Sequence, residues 1–220
     1  MSQSHQESLT AFLMALFYLQ MDERFEAILN RYRIFEFDEL NVIETEYMSL
    51  CKEEIVERFE KVMEEAYLEG FSGVFFMLGL ALVGYVSAAV IQEVMYELID
   101  GMTFADRIND MPEDFTADDL RIKLQTEIHR MYLNGQFYAG DRVAEDGNVI
   151  TKTWDATMDG KTRPTHYLLN GQEKALDEYF VTRNGRALAP GMFGVGEEDV
   201  NCRCILRYNL YSPAPEKALT

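Results

Sequence analysis

The chain has 220 residues, a formal net charge of −18 and a sequence pI of about 4.5. Its apolar content of 48% supports one or two domains with a sizeable core, which excludes wholesale disorder. The acidity excludes tight, sequence-independent DNA binding, which needs clustered Lys and Arg to displace counterions.

Residues 1–100 carry 19 acidic and 6 basic side chains, against 19 and 14 in residues 101–220. Any contact with nucleic acid would therefore come from the second half, through Arg130, Arg142, Arg163, Arg183, Arg186, Arg203 and Arg207. The bland alternative is that these are dispersed, solvated charges. The acidic first half suits basic or neutral protein surfaces.

In chain order, residues 6–20 predict a first helix. Leu9, Phe12, Leu13, Leu16, Phe17 and Leu19 form a stripe at helical spacing. A short second helix is expected over 22–32, with Asp22 as its cap. A long acidic helix follows over 39–69, its buried face running from Leu40 to Tyr67. No secretory signal is read at the N-terminus, which lacks a basic lead and a small-residue cleavage site.

Between Glu69 and Glu93 there is no charged residue. That length meets the criterion for a membrane span. A helix surrounded by other helices has the same pattern. The flanks favour burial in protein, because they carry Glu64, Glu65, Glu69, Glu93, Glu97 and Asp100 but no cationic anchor. The expectation is one apolar central helix over 70–99, ended by Gly101 at the position after its cap.

Residues 102–112 read as a connection, and residues 115–138 resume helical periodicity with Thr116 as cap. The turn signal Glu145-Asp146-Gly147-Asn148 marks a change to two-residue periodicity. A strand is expected over 149–156, and a short helix from Thr162 to about Asn170, with Thr162 as cap and Pro164 in the first turn. Arg183-Asn184-Gly185 signals a hairpin, and residues 204–210 a closing strand. The fold class is α+β. A mainly helical region over 1–140 precedes a small α+β unit with short strands over 148–210, and 211–220 is a flexible tail.

The chemistry-bearing residues gather in this last unit. Cys202 and Cys204 are two apart, so in a strand both thiols face one side. Three cysteines do not make a disulfide framework, and Cys51 reads as an ordinary helix residue. His166, Cys202, Cys204 and a nearby carboxylate would make a tetrahedral zinc set, although the Cys spacing is tighter than in a C-x2-C knuckle. A Cys–His nucleophilic pair, and with it a small metal- or Cys-dependent hydrolase, is open on composition. So is a buried hydrogen-bonded network with no metal. A unit of roughly sixty residues benefits from a polar or metal staple, so Trp154, Asp159, Arg163, His166, Asn201, Cys202 and Cys204 are expected to form one structural cluster.

The ordered set Trp154, Asp159, Arg163, His166, Gly171, Pro190-Gly191 and Asn201-Cys202-Arg203-Cys204 resembles the C-terminal domain of phage Mu F-like minor head proteins, also called phage head morphogenesis proteins. Asp100–Arg107 and Gln125–Arg130 resemble the helical lead-in, so the likeness covers roughly 98–210. It implies a non-enzymatic minor capsid component of a tailed phage or prophage, found in the virion at the portal and head interior. Portal and other head proteins are its implied partners, with contact to packaged DNA in second place. The chain departs from the pattern by a short stretch between Arg107 and Thr126 and by its apolar run. That run keeps a membrane-active, genome-delivery alternative open. No cofactor, or one structural zinc, completes the expectation.

Overall fold

The computed structural model describes residues 52–82, 84–112 and 117–211. The helices expected over 6–20 and 22–32, the start of the acidic helix, Cys51, Thr116 and the tail beyond 211 lie outside the described residues.

Helix α1 (Lys52–Met77) and helix α4 (Ala117–Glu145) form the helical half with two shorter pieces, α2 (Ala88–Met95) and α3 (Phe104–Asn109). Strand β1 (Val149–Asp155), helix α5 (Pro164–Leu169), strands β2 (Glu173–Ala175), β3 (Phe180–Thr182) and β4 (Gly185–Ala187), helix α6 (Gly196–Asp199) and strand β5 (Ile205–Tyr211) follow. The class is α+β, helical first and short-stranded after.

The single apolar helix expected over 70–99 is not what forms. Helix α1 stops at Met77 in a Schellman cap. The Gly79 N–H donates to the Phe76 carbonyl, the Leu80 N–H donates to the Phe75 carbonyl, and Gly79 sits at φ +66°. Gly84, at φ +85°, keeps the following chain out of helix. Helix α2 restarts only after Ser87, whose hydroxyl accepts from the Val90 N–H. Among the described residues no helix is long and apolar enough to cross a membrane. The run is only partly buried: Ile91 is 3% exposed, whereas Phe76 is 89% and Tyr85 86% exposed.

Gly101 does not end a helix either. With Asp100 it forms a tight turn in which both residues have positive φ, closing the Ile99–Met102 bridge. Thr103 then caps α3, with Asp106 completing a capping box.

Alternation on β1 buries Ile150, Lys152 and Trp154. β1 is the centre of an antiparallel sheet ordered β2-β1-β5, with Trp154 opposite Leu206. β3 and β4 form a separate hairpin across Arg183-Asn184. Two apolar cores result. One joins Met63, Tyr67, Ile91, Ile108, Leu124, Ile128 and Met131 among the helices. The other puts Phe71, Val74, Phe75, Ala139 and Val143 from α1 and α4 against Trp154, Phe180, Leu206 and Tyr208. The short-stranded unit thus completes its core with the ends of two helices.

Candidate functional site

His166 lies on α5, a helix of under two turns opened by Pro164. The cap position is Arg163 rather than Thr162, and no side chain fills it. Thr162 instead directs its hydroxyl to the Thr157 carbonyl, tightening the turn after β1. Pro164 supplies helical φ in advance, which lets so short a helix form.

This placement buries the imidazole at 1% exposure. Trp154 meets it edge-on at 5.2 Å between ring centroids, and Phe193 stacks on it at 6.0 Å with planes 21° apart. Nδ1 faces two sulfurs: Cys204 Sγ at 3.3 Å and Cys202 Sγ at 3.6 Å. Both thiols are free and buried. They sit on the segment just before β5, so the closing strand begins at Ile205 and not at Cys204.

The opposite ring nitrogen faces a carboxylate. Nε2 stands 2.9 Å from Glu198 Oε2, at ion-pair distance but out of line for a hydrogen bond. Glu198 is fully buried and accepts from the Thr165 hydroxyl at 2.9 Å and the Asn184 amide at 2.9 Å. Burial opposes its ionisation, but hydrogen bonds from Thr165, Thr182 and Asn184 and the neighbouring imidazole outweigh it. Its pKa stays below the ordinary glutamate value. Neighbouring Asp199 has a raised pKa because it is buried, despite accepting from the Phe193 and Gly194 N–H groups.

The two thiols act as a pair. A hydrogen bond from Cys202 draws the Cys204 pKa down against burial, with help from His166 and the Trp154 indole N–H. The Cys202 pKa is pushed up by the same contact and by burial. The contact between them thus favours ionisation at Cys204 over Cys202.

Trp154, His166, Cys202 and Cys204 meet at one buried point. Asp159 does not join them. It turns outward to a two-pronged pair with Arg203, both contacts at 2.7 Å, and accepts from the Lys161 N–H. The Arg203 hydrogen bond is the main reason its carboxyl is held well below the usual range. Arg163 reaches the Val200 carbonyl and so straps α5 to the cysteine loop. Asn201 is exposed at φ +56°, and its N–H donates to Thr126 Oγ1 on α4 at 3.1 Å. The last three residues hold the loop rather than the centre.

Glu198 and His129 were missed as site residues by sequence reasoning. Glu198 sits in a Glu-Glu-Asp run where nothing local distinguishes the buried member. His129, on α4, bonds the Cys204 backbone, and burial lowers its pKa to about 4. The second-half arginines are largely engaged within the protein. Arg130 pairs with Glu127, Arg142 with Glu145, Arg203 with Asp159 and Arg207 with Asp155. Arg186 lies over the Tyr179 ring at 4.5 Å.

A cleft of about 310 Å³ opens between Glu97, Arg130, Arg186 and Phe193, and a smaller one of about 150 Å³ beside Arg107 and Lys123. Neither has a thiol or His166 on its wall. The His166, Cys202 and Cys204 donor atoms lie within 4.8 Å of one another, the set among the described residues that could hold a metal ion.

Residues 88–207 match the family model described as Phage Mu protein F like protein. Over 118 residues the chain is 38% identical to the NAD(+)–arginine ADP-ribosyltransferase EFV of Enterococcus faecalis, covering 52% of this chain and 24% of that protein. Over 96 residues it is 33% identical to the minor head protein GP7 of Bacillus phage SPP1, covering 43% of this chain and 31% of that protein. The chain thus spans a quarter to a third of the length of these relatives. No solved structure matches it.

Proposed function

The chain belongs to the phage Mu protein F-like family, and on that premise we propose that it is a minor head component of a tailed phage or prophage. It acts in head assembly, resides in the virion at the portal and head interior, and passes through the host cytoplasm as heads form. Portal and other head proteins are its partners. The observation that carries this reading is the family match over 88–207, which contains Trp154, His166, Cys202 and Cys204, together with the likeness to a phage minor head protein.

The stretches shared with a protein named a transferase and with a protein named for the head make up 24% and 31% of those proteins. The name of the former therefore does not by itself bring transfer chemistry to this chain. The site supports a role without turnover. Cys202 and Cys204 are 5% and 3% exposed, so a substrate has no approach to either sulfur. Exposed Phe76, Leu82, Tyr85 and Tyr96 offer the apolar contact area from which protein interfaces are built. DNA contact ranks behind protein contact, since the pairing of Arg142, Arg203 and Arg207 weakens any cationic surface.

The test is genetic and biochemical together. The chain is deleted from the phage or prophage and restored from a plasmid, and purified heads are probed for it. Expected are its presence in heads, a fall in infectious particles on deletion, and reduced incorporation of a folded Phe76→Ser/Tyr85→Ser variant. Absence from purified particles with unchanged particle yield on deletion would overturn the reading. Turnover of NAD or an ester by the isolated chain, lost in His166→Ala, would replace it with the hydrolytic or transferase reading.

A further inference from the structure

The centre formed by His166, Cys202 and Cys204 has more donors than one another's hydrogen bonds can use. Nδ1 of His166 has a single lone pair, yet two buried sulfurs converge on it. We infer that His166 Nδ1, Cys202 Sγ and Cys204 Sγ bind one zinc ion, with Glu198 as the carboxylate that orients the imidazole.

Two independent features of the geometry lead there. The first is spacing. Zinc bonded tetrahedrally to nitrogen and sulfur at the usual lengths sets the two donors about 3.6 Å apart. The observed separations are 3.6 and 3.3 Å. The second is the supporting shell. A zinc-bound histidine generally presents its other N–H to a carboxylate that is itself hydrogen-bonded. Nε2 faces Glu198 at 2.9 Å, and Thr165 and Asn184 fix that carboxylate. The buried indole N–H of Trp154, which already favours the ionised form of Cys204, is placed to donate to a metal-bound sulfur.

Binding releases to solvent whatever protons the two cysteines carry, and the imidazole binds through its Nδ1 lone pair, with no oxidant or reductant required. The described residues supply these three donors, so the fourth position falls to water or to a group beyond them. The ion would join α5 to the segment before β5, reinforcing the Arg163 contact to the Val200 carbonyl.

The experiment uses the full chain, stripped by chelator under reducing conditions and titrated with zinc and with cobalt(II). Expected are one equivalent of zinc per chain and a cobalt spectrum with a thiolate-to-metal band and tetrahedral visible bands. Cys51→Ser should keep both, whereas Cys202→Ser and Cys204→Ser should lose the thiolate band. Glu198→Gln should weaken zinc binding about 10–100-fold without abolishing it. A stripped protein that remains folded by circular dichroism and takes up neither metal overturns the inference. So does a cobalt complex with no thiolate band. The wild-type spectra decide the matter even if a cysteine variant does not fold. They are also independent of head assembly, so failure of one reading leaves the other standing.

Discussion

Gly70 on α1 and Gly135 on α4 face each other across the helix crossing, each leaving room for the other helix's backbone. A Cβ on Gly70 would fall 2.0 Å from the Tyr132 carbonyl oxygen, and one on Gly135 would fall 2.0 Å from the Tyr67 carbonyl oxygen. Neither neighbour can yield, because both are main chain within helices. This contact sets how closely the two long helices approach, and with it how their ends meet the sheet below Trp154.

Gly135→Ala should therefore destabilise the protein by about 1–3 kcal/mol through overpacking. That loss outweighs the roughly 1 kcal/mol that alanine gains in helix propensity. Gly160→Ala, where a Cβ meets nothing within 4 Å, should stay within about 0.5 kcal/mol of the parent. Urea denaturation of the two variants checks this, and equal stability for both would remove the close-packing argument.

Glu127 is fully buried between Arg107 and Arg130. Glu127→Ala should cost about 3–5 kcal/mol, because it leaves two guanidinium groups withdrawn from water without their carboxylate. Arg130 would retain Glu97 at 3.1 Å, an outer partner that is half exposed and weaker. A melting temperature within a degree or two of the parent would show that solvent reaches this network.

Lys152 points inward from β1, bonds the Leu176 carbonyl and lies over the Phe137 and Phe180 rings. Burial pulls its pKa down to about 8, against the pull of Asp177 and Glu178. The folded chain thus holds this proton less tightly than the unfolded chain does. Unfolding takes up a proton between pH 8 and the unfolded lysine value of about 10.4, so this residue's contribution rises with pH across that window. Lys152→Met should abolish that portion of the slope. Denaturation midpoints at pH 7.5, 9 and 10, compared between parent and variant, would reveal it. Parallel curves would contradict the assignment.

Asn201 holds a left-handed conformation at φ +56° just before the first thiol. Asn201→Gly should be near neutral, whereas Asn201→Val should cost about 1–2 kcal/mol, since a branched Cβ meets the following carbonyl there. The Thr126 contact uses the backbone N–H and survives both changes. An equal loss in the two variants would point to the Asn side chain instead of the backbone.

The local features of this fold are written in short-range patterns. Alternation through Ile150, Lys152 and Trp154 marked a strand with one buried face, and Arg183-Asn184-Gly185 marked the hairpin, because both signals are set by neighbouring residues. The order of Trp154, His166 and Cys202-Arg203-Cys204 was sufficient to group residues that the structure brings within a few ångströms. The apolar run was misread for a physical reason. Glycine at a helix crossing and glycine at a helix end look alike in a sequence. Gly70 serves the first purpose and Gly79 the second, and only the positions of the carbonyls around them decide between the two.

What the sequence by itself determined is therefore which residues bury a face and which carry chemistry. What lies against that face was decided by tertiary structure alone. Nothing near Glu198 announces that it, and not Glu197, turns inward beneath His166, and nothing near Asp159 announces that Arg203 draws it outward. Phe71 and Val74 read as ordinary helix-core residues, yet they close the core around Trp154 from more than a helix length away in the chain. Hydrophobic periodicity reports that a side chain leaves water, whereas its partner is chosen by packing among distant elements, which no local pattern encodes.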